Sequence, residues 1–337
     1  MSACATKPVE YTLFPPEPAA PRIQLLKQFH NGSTLKEDNK LFDFIIGDTG
    51  SDSLSKAFGL TFKDGKLFIV DSGKASPSYL IVDFDLSTME RHAGQLIKPI
   101  HISIDAEGNR YISDTVNRAV IVFNQNDKYL RKIKLDEKNF WPTGLQIIDD
   151  RLYVSDLKAN LIRVFDKDTG KLLNTFGQND RLGWPTSISL MPNGNLLVTE
   201  TLAAALRLYT KDGTSIKQIG SPGDRAGNFA RPKGTAVDKN GNIYAVDVAF
   251  QNVQILNTDG DPLMYFGSTG DNNSLWMPAG IAISYDVPEA LKKLAKPGFN
   301  IEYIIAVSSQ GGPHMLSKIS VYGFGKQEGI DYSKDGD

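Results

Sequence analysis

One pattern recurs along this 337-residue chain and limits its architecture more than any other property. A proline, followed two positions later by a small residue and then by an alternating apolar run, stands at Pro99, Pro142, Pro185, Pro232 and Pro278, in steps of 43, 43, 47 and 46, with His101 the one exception to the small residue. An earlier copy, Phe58-Gly59-Leu60, lacks the proline. In each copy an acidic residue closes a second apolar run, at Asp71, Asp114, Asp156, Glu200 and Asp247, with Ser308 in the sixth copy, in steps of 43, 42, 44, 47 and 61. A repeat of this length marks a unit that cannot bury its apolar face alone and must stack on its neighbours. The long last step places an inserted segment near 286–300.

Within a copy the runs are short, rich in β-branched and aromatic residues, and separated by Gly, Asn and Asp, the pattern of strands and turns. The second copy reads as four strands, at 102–105, 111–114, Ala119–Phe123 and Tyr129–Ile133. Gly108-Asn109, Gly194-Asn195 and Gly241-Asn242 fall where a tight hairpin needs positive backbone dihedrals. Six copies of a four-stranded unit predict an all-β protein, a six-bladed β-propeller of four-stranded antiparallel blades. The sixth copy runs out before a fourth strand, whereas Ile23–Phe29 has the sequence of an outer strand. The N-terminal strand is therefore expected to close the last blade, which leaves no open junction in the ring. The expected divisions are a Pro-rich arm over 1–22, the propeller over 23–325 and a tail over 326–337. Helix is expected only over 288–296, a Pro-started run inside the insertion.

These residues resemble the NHL-repeat family of propellers. That family's succession of Pro-x-Gly, Gly-Asn, a closing Asp, then Asn and Arg before an apolar strand ending in an aromatic is matched over 142–165, with Asp156, Asn160, Arg163 and Phe165. It is matched again over 99–123, with Asp114, Asn117 and Arg118. The resemblance covers about residues 23–325 and implies the fold, but the family includes scaffolds, RNA binders and enzymes. Met1-Ser2-Ala3-Cys4 in addition resembles the end of a bacterial lipoprotein signal, in which small residues precede a lipidated cysteine. Pro8, Pro15, Pro16, Pro18 and Pro21 then favour an extended spacer. The chain thus reads as a bacterial lipoprotein-like member, tethered through Cys4 outside the cytoplasm, in the periplasm or at the cell surface. A cytoplasmic start with a chance Ser-Ala-Cys is the alternative.

In a propeller the inner strand of each blade runs from one face, here the top, to the other. Blade-to-blade loops and second-to-third-strand loops therefore share the top. Trp141, Trp184 and Trp276 precede inner strands, with Phe229 and Arg231 in the fifth copy. Aromatic and Arg side chains are enriched at binding hot spots, which makes these the candidate contacts for a protein partner; wedging between blades is the packing alternative. The closing acids also lie toward the top, where a carboxylate can accept backbone N–H groups of the adjoining loop. His101 opens an inner strand where other copies carry Gly59, Gly144, Ser187, Gly234 and Gly280. It joins the binding candidates together with His314, and His101, His314 and His92 are the candidate metal ligands, against a hydrogen-bonded structural role.

Composition narrows the function classes. Lys+Arg 37 against Asp+Glu 39 gives a net charge of -2, and the basic clusters Arg131-Lys132-Lys134 and Lys292-Lys293-Lys296 are far apart in sequence, so nucleic acid is not an expected partner. A single cysteine excludes an intrachain disulfide framework. The sequence lacks Gly-x-Ser-x-Gly, a phosphate loop and His-Glu-x-x-His. The inner-strand openings carry no carboxylate of the kind that calcium-dependent lactonase propellers place there. No cofactor is expected, although the channel leaves room for a bound metal ion. The expected function is a non-catalytic protein-binding or assembly scaffold. A multihaem cytochrome assembly is a candidate partner by analogy with similar propellers, although this chain has no Cys-x-x-Cys-His of its own. The alternatives are a metal-dependent enzyme of the lyase or lactonase/esterase class with its site near His101, and an RNA-binding propeller.

Overall fold

A computed structural model of the chain describes residues 10–16, 18–36, 53–73, 75–135, 139–268, 270, 273–311 and 317–332. Cys4 and His314 lie outside the described residues. Six antiparallel sheets form a ring, with the first strand of each packed beside the first strand of the next and the sixth beside the first. Those inner strands are Ala57–Lys63, Pro99–Ile104, Pro142–Ile148, Pro185–Leu190, Pro232–Val237 and Pro278–Ser284. The expected six-bladed, four-stranded propeller is what the chain forms.

Second strands such as Arg110–Asp114 and Ile243–Asp247 are buried at every position, because each sheet is packed between two neighbours. Outer strands such as Tyr129–Ile133 face solvent over most of their length. The core is accordingly divided among the seams between blades; Tyr111, Val120, Leu152, Val154 and Phe165 fill one of them. Each such side chain contributes about 1.5–3 kcal/mol by leaving water. At the inner hairpins, Gly108, Gly194 and Gly241 take φ of 82, 85 and 89°, as their turn positions require.

Ring closure follows the sequence reading. Ile23–Phe29 pairs antiparallel with Lys318–Gln327, with Ile23 opposite Phe324 and Phe29 opposite Ile319. The described part of the Pro-rich arm also lies against the ring. Leu13–Phe14 adds a fifth strand to the last blade by pairing with Ile23 and Gln24. Phe14 is buried, its ring 6.1 Å from that of Phe266 and 6.2 Å from that of Tyr322. The Arg22 guanidinium stacks over Phe324 and Tyr332, and the Tyr332 hydroxyl donates to the Pro21 carbonyl at 2.7 Å.

Two local features differ from expectation. The helix in the insertion is one turn, Glu289–Lys292, and Gly298 at φ 78° turns the chain back into the sheet. Beyond that turn the Gln24 side chain replaces helical bonding by donating to the Leu294 carbonyl and accepting from the Lys296 N–H. In the sixth blade the residue opposite the opening proline is Ser309, not Ser308. The second strand there is longer, Phe299–Ser309, which moves the anchor by one position.

Candidate functional site

Every inner strand is irregular at its opening. The pairing with the second strand shifts just after Pro99, Pro142, Pro185, Pro232 and Pro278, and after Ala57, which holds the same register in the first blade. A bulge leaves a residue outside the ladder and re-aims its side chain. The residues released this way, Phe58, Ile100, Thr143, Thr186, Lys233 and Ala279, follow the proline position and ring the top mouth of the channel. The residues just before it, Lys56, Lys98, Trp141, Trp184, Arg231 and Met277, are all exposed and form a wider ring outside the mouth.

The closing acids support these loops from beneath. Asp114 is wholly buried and accepts N–H bonds from Ile97 (2.6 Å), Lys98 (3.0 Å), Val116 (3.1 Å) and Asn117 (2.9 Å). Asp247 likewise binds the N–H groups of Ala230, Arg231, Ala249 and Phe250. Asp71, Asp156 and Glu200 add an Arg partner, the partly buried Arg91, the buried Arg163 and the partly buried Arg207 respectively. In the sixth blade Ser309 Oγ takes over, accepting the Trp276 N–H at 3.3 Å. Each aspartate thus ties the loop entering its blade to the loop leaving its second strand, whereas Glu200 ties the entering loop, at the Gly183 N–H, to Arg207 of the third strand. Their charge is used inside the protein and does not face the mouth.

The three tryptophans meet different fates. Trp184 is 50% exposed and Trp141 36% exposed, whereas Trp276 is partly buried with its indole N–H lacking a partner among the described residues. Trp184 and Met277 also sit at φ of 55 and 46°, a conformation that bulky side chains seldom adopt. An exposed tryptophan held in a strained backbone, its main-chain N–H donating to Asn160 Oδ1 of the preceding blade, is a feature that packing alone does not require. Met277 is 50% and Leu202 65% exposed on the same face, and Ile97 and Val116 are also exposed. Lys158 lies over the Trp141 ring at 5.2 Å. Phe229, by contrast, is wholly buried in the seam between the fourth and fifth blades and acts as a wedge, while Arg231 is exposed.

The histidines are placed in unlike surroundings. The His101 ring occupies the space left by the missing side chain of Gly59, where an added Cβ would come within 2.9 Å of its Cδ2 atom. Its backbone N–H donates to Ser113 Oγ at 3.0 Å, Nδ1 has no partner among the described residues, and burial pushes its pKa down to about 4. His92 stacks on Tyr79 at the outer seam of the first two blades, 3.7 Å from Asp127. Among the described residues no group of three or more His, Cys, Asp or Glu is placed to hold a metal.

Turns on the bottom face carry paired ions, including Lys66 with Asp83, Arg110 with Asp127, Lys167 with Asp105 and Lys217 with Asp259. A recess of about 320 Å³ between the first two blades, lined by Lys63, Asp64, Lys66, Glu107 and Arg110, lies on that balanced face. At the top, Lys56, Lys98, Lys158, Arg231 and Lys233 form no ion pair among the described residues. Lys56, Lys233 and Met277 escape a search for motifs, because each is ordinary in isolation and is singled out only by its alignment with the repeat.

No protein-family model matches the chain. Over 133 residues it is 26% identical to the protein brain tumor of Drosophila melanogaster, a match that spans 37% of this chain and 12% of that protein. Among solved structures it is similar to virginiamycin B lyase from Staphylococcus aureus, with 13% identity, a TM-score of 0.59 and coverage of 90% of this chain and 99% of the lyase. It is also similar to a gluconolactonase from Xanthomonas campestris (14%, TM-score 0.56, 80% and 86% covered). A calcium-binding regucalcin from Agrobacterium tumefaciens matches comparably (14%, TM-score 0.57, 81% and 93% covered). At these identities the likeness is one of fold.

Proposed function

We propose that this chain is a non-catalytic propeller of the NHL type that serves as a platform for protein binding or assembly outside the cytoplasm, tethered through Cys4. The observation that carries the reading is the top face. Exposed Trp141, Trp184, Met277 and Leu202 stand on a rigid ring whose supporting acids are already saturated by backbone N–H groups. Aromatic and methionine side chains at this density are what partner surfaces use. The match to the brain tumor protein supports the NHL type. The fold neighbours include enzymes, but this mouth offers Phe58, Ile100, Thr186 and Lys233 where lactonase or lyase chemistry would call for carboxylates or clustered histidines. An extracytoplasmic redox assembly containing a multihaem cytochrome is the partner class we favour.

The test is affinity capture from native membranes with the full chain and with the double variant Trp184→Ala/Met277→Ala. Loss of the captured protein in the double variant, with retention in the outer-strand variant Leu173→Ala/Ile216→Ala, supports the platform. Equal capture by all three chains refutes it. Fractionation of Cys4→Ser tests the tether separately, since the substituted chain should leave the membrane fraction.

A further inference from the structure

Lys233 at the top mouth and Lys56 and Arg231 just outside it bring three positive charges together. The ammonium groups of Lys56 and Lys233 lie 5.5 and 5.8 Å from the centre of the Phe58 ring. Lys56 and Phe58 belong to the first blade and Lys233 to the fifth, so the two lysines meet across the opening of the sixth, where the equivalent residue is only Ala279. Arg231 stands beside Lys233 at the start of the same strand. Among the described residues, the closing acids of the first and fifth blades are engaged elsewhere. Asp71 accepts the N–H groups of Ser55, Lys56 and Gly73 and pairs with Arg91, and Asp247 binds four backbone N–H groups of its own blade. None of the three cations has an ion-pair partner among the described residues.

Lys233 is the least exposed of the three. Burial, reinforced by repulsion from Arg231 and Lys56, holds its ammonium below the usual lysine range. Partly burying an unpaired cation beside two others lowers stability, and a bound anion would remove that penalty. The Phe58 ring supplies an apolar wall that excludes water from one side, which strengthens any charge-assisted hydrogen bond made there.

We propose that the top mouth is a binding site for a compact oxyanion of the phosphate or carboxylate class, held by Lys233 together with Lys56 and Arg231. Such a group arrives as a free ion or on an acidic side chain of a partner. The proposal is read on the isolated chain, so it stands or fails independently of the platform.

Isothermal titration at low ionic strength separates the sources, with inorganic phosphate in one arm and a capped Asp-Asp peptide in the other. Saturable one-to-one binding of phosphate identifies a free ion. Binding of the peptide without phosphate assigns the group to a partner. Binding of neither at millimolar concentration overturns the proposal. Lys233→Met should weaken the bound probe at least about tenfold, whereas Lys158→Met, on the same face but over Trp141, should leave it within about twofold. Equal weakening by both variants, or none by Lys233→Met, also overturns it. Arg231→Gln, an exposed position, gives the same readout if Lys233→Met fails to fold. In carbon NMR of the lysine side chains, the Lys233 titration midpoint should rise when the probe is added.

Discussion

Replacing a closing acid measures whether these carboxylates hold the loops or serve a ligand, and Asp114 is the clearest case. Its oxygens accept four backbone N–H bonds at 2.6–3.1 Å, from residues on both sides of the top surface, and the side chain is wholly buried. Asp114→Ala strands all four donors. An unsatisfied buried donor costs about 1–3 kcal/mol, and because water can reach these loops once they loosen, the low end applies to each, giving a loss of about 4 kcal/mol. Asp114→Asn keeps one acceptor oxygen but turns an NH2 group toward donors, and should lose at least half as much. Equilibrium urea denaturation followed by tryptophan fluorescence gives the midpoint and slope for each variant. Amide exchange should be accelerated at Ile97, Lys98, Val116 and Asn117 in both. A ligand-binding acid behaves in the opposite way, since removing a buried charge from an empty site is neutral or stabilising. A loss below about 1 kcal/mol for Asp114→Ala would therefore refute the structural role and point to a ligand-binding one.

Two further outcomes follow from the geometry. The folded state holds the His101 pKa near 4, below the 6.5 of a free imidazole, so the unfolded chain binds the proton more readily between those values; His101 thus leaves stability undiminished above pH 6.5 and removes up to about 3 kcal/mol as pH falls toward 4. Subtracting the stability profile of His101→Ser, which copies Ser187 of the fourth blade, isolates that dependence, and parallel profiles would contradict it. Phe14→Ala should cost about 3 kcal/mol, within the range for deleting a buried phenyl ring, and should expose the arm to limited proteolysis before the ring unfolds; an unchanged cleavage pattern would show that the docked Leu13–Phe14 strand does not hold the arm.

The ring was legible because its information is repeated. The positions of Pro142, Gly144 and Asp156 recur at steps of 42–47 through the regular copies, and agreement among copies fixes strand number, loop identity and the closing role of Ile23–Phe29. What escaped was carried by single residues. Leu13–Phe14 is two residues long between prolines, too short for an alternating pattern, and becomes a strand only because the last blade offers it an edge and a pocket between Phe266 and Tyr322. The sixth anchor reads as Ser308 in the sequence and is Ser309 in the structure, because the sixth blade has no carboxylate to mark the register and its second strand is longer. Lys233 reads as a surface lysine in its own strand, and closure alone brings it to Phe58 from across the mouth. Phe229 stands three residues before its proline, where other copies carry the buried Leu54, Leu96, Leu182 and Leu275, and it turns inward as they do, against Gly220. Periodicity specifies where a residue sits in a blade, and packing decides which way it faces.

The partner-binding role of the top face is tested most directly by site-specific photo-crosslinking. A photoreactive aromatic amino acid is placed at position 184 in one chain and at position 173, on an outer strand, in another, and each is irradiated in native membranes. A partner seated on the top face gives a discrete crosslinked species from position 184 and none from position 173. A species from 173 alone, or from neither position, would contradict it.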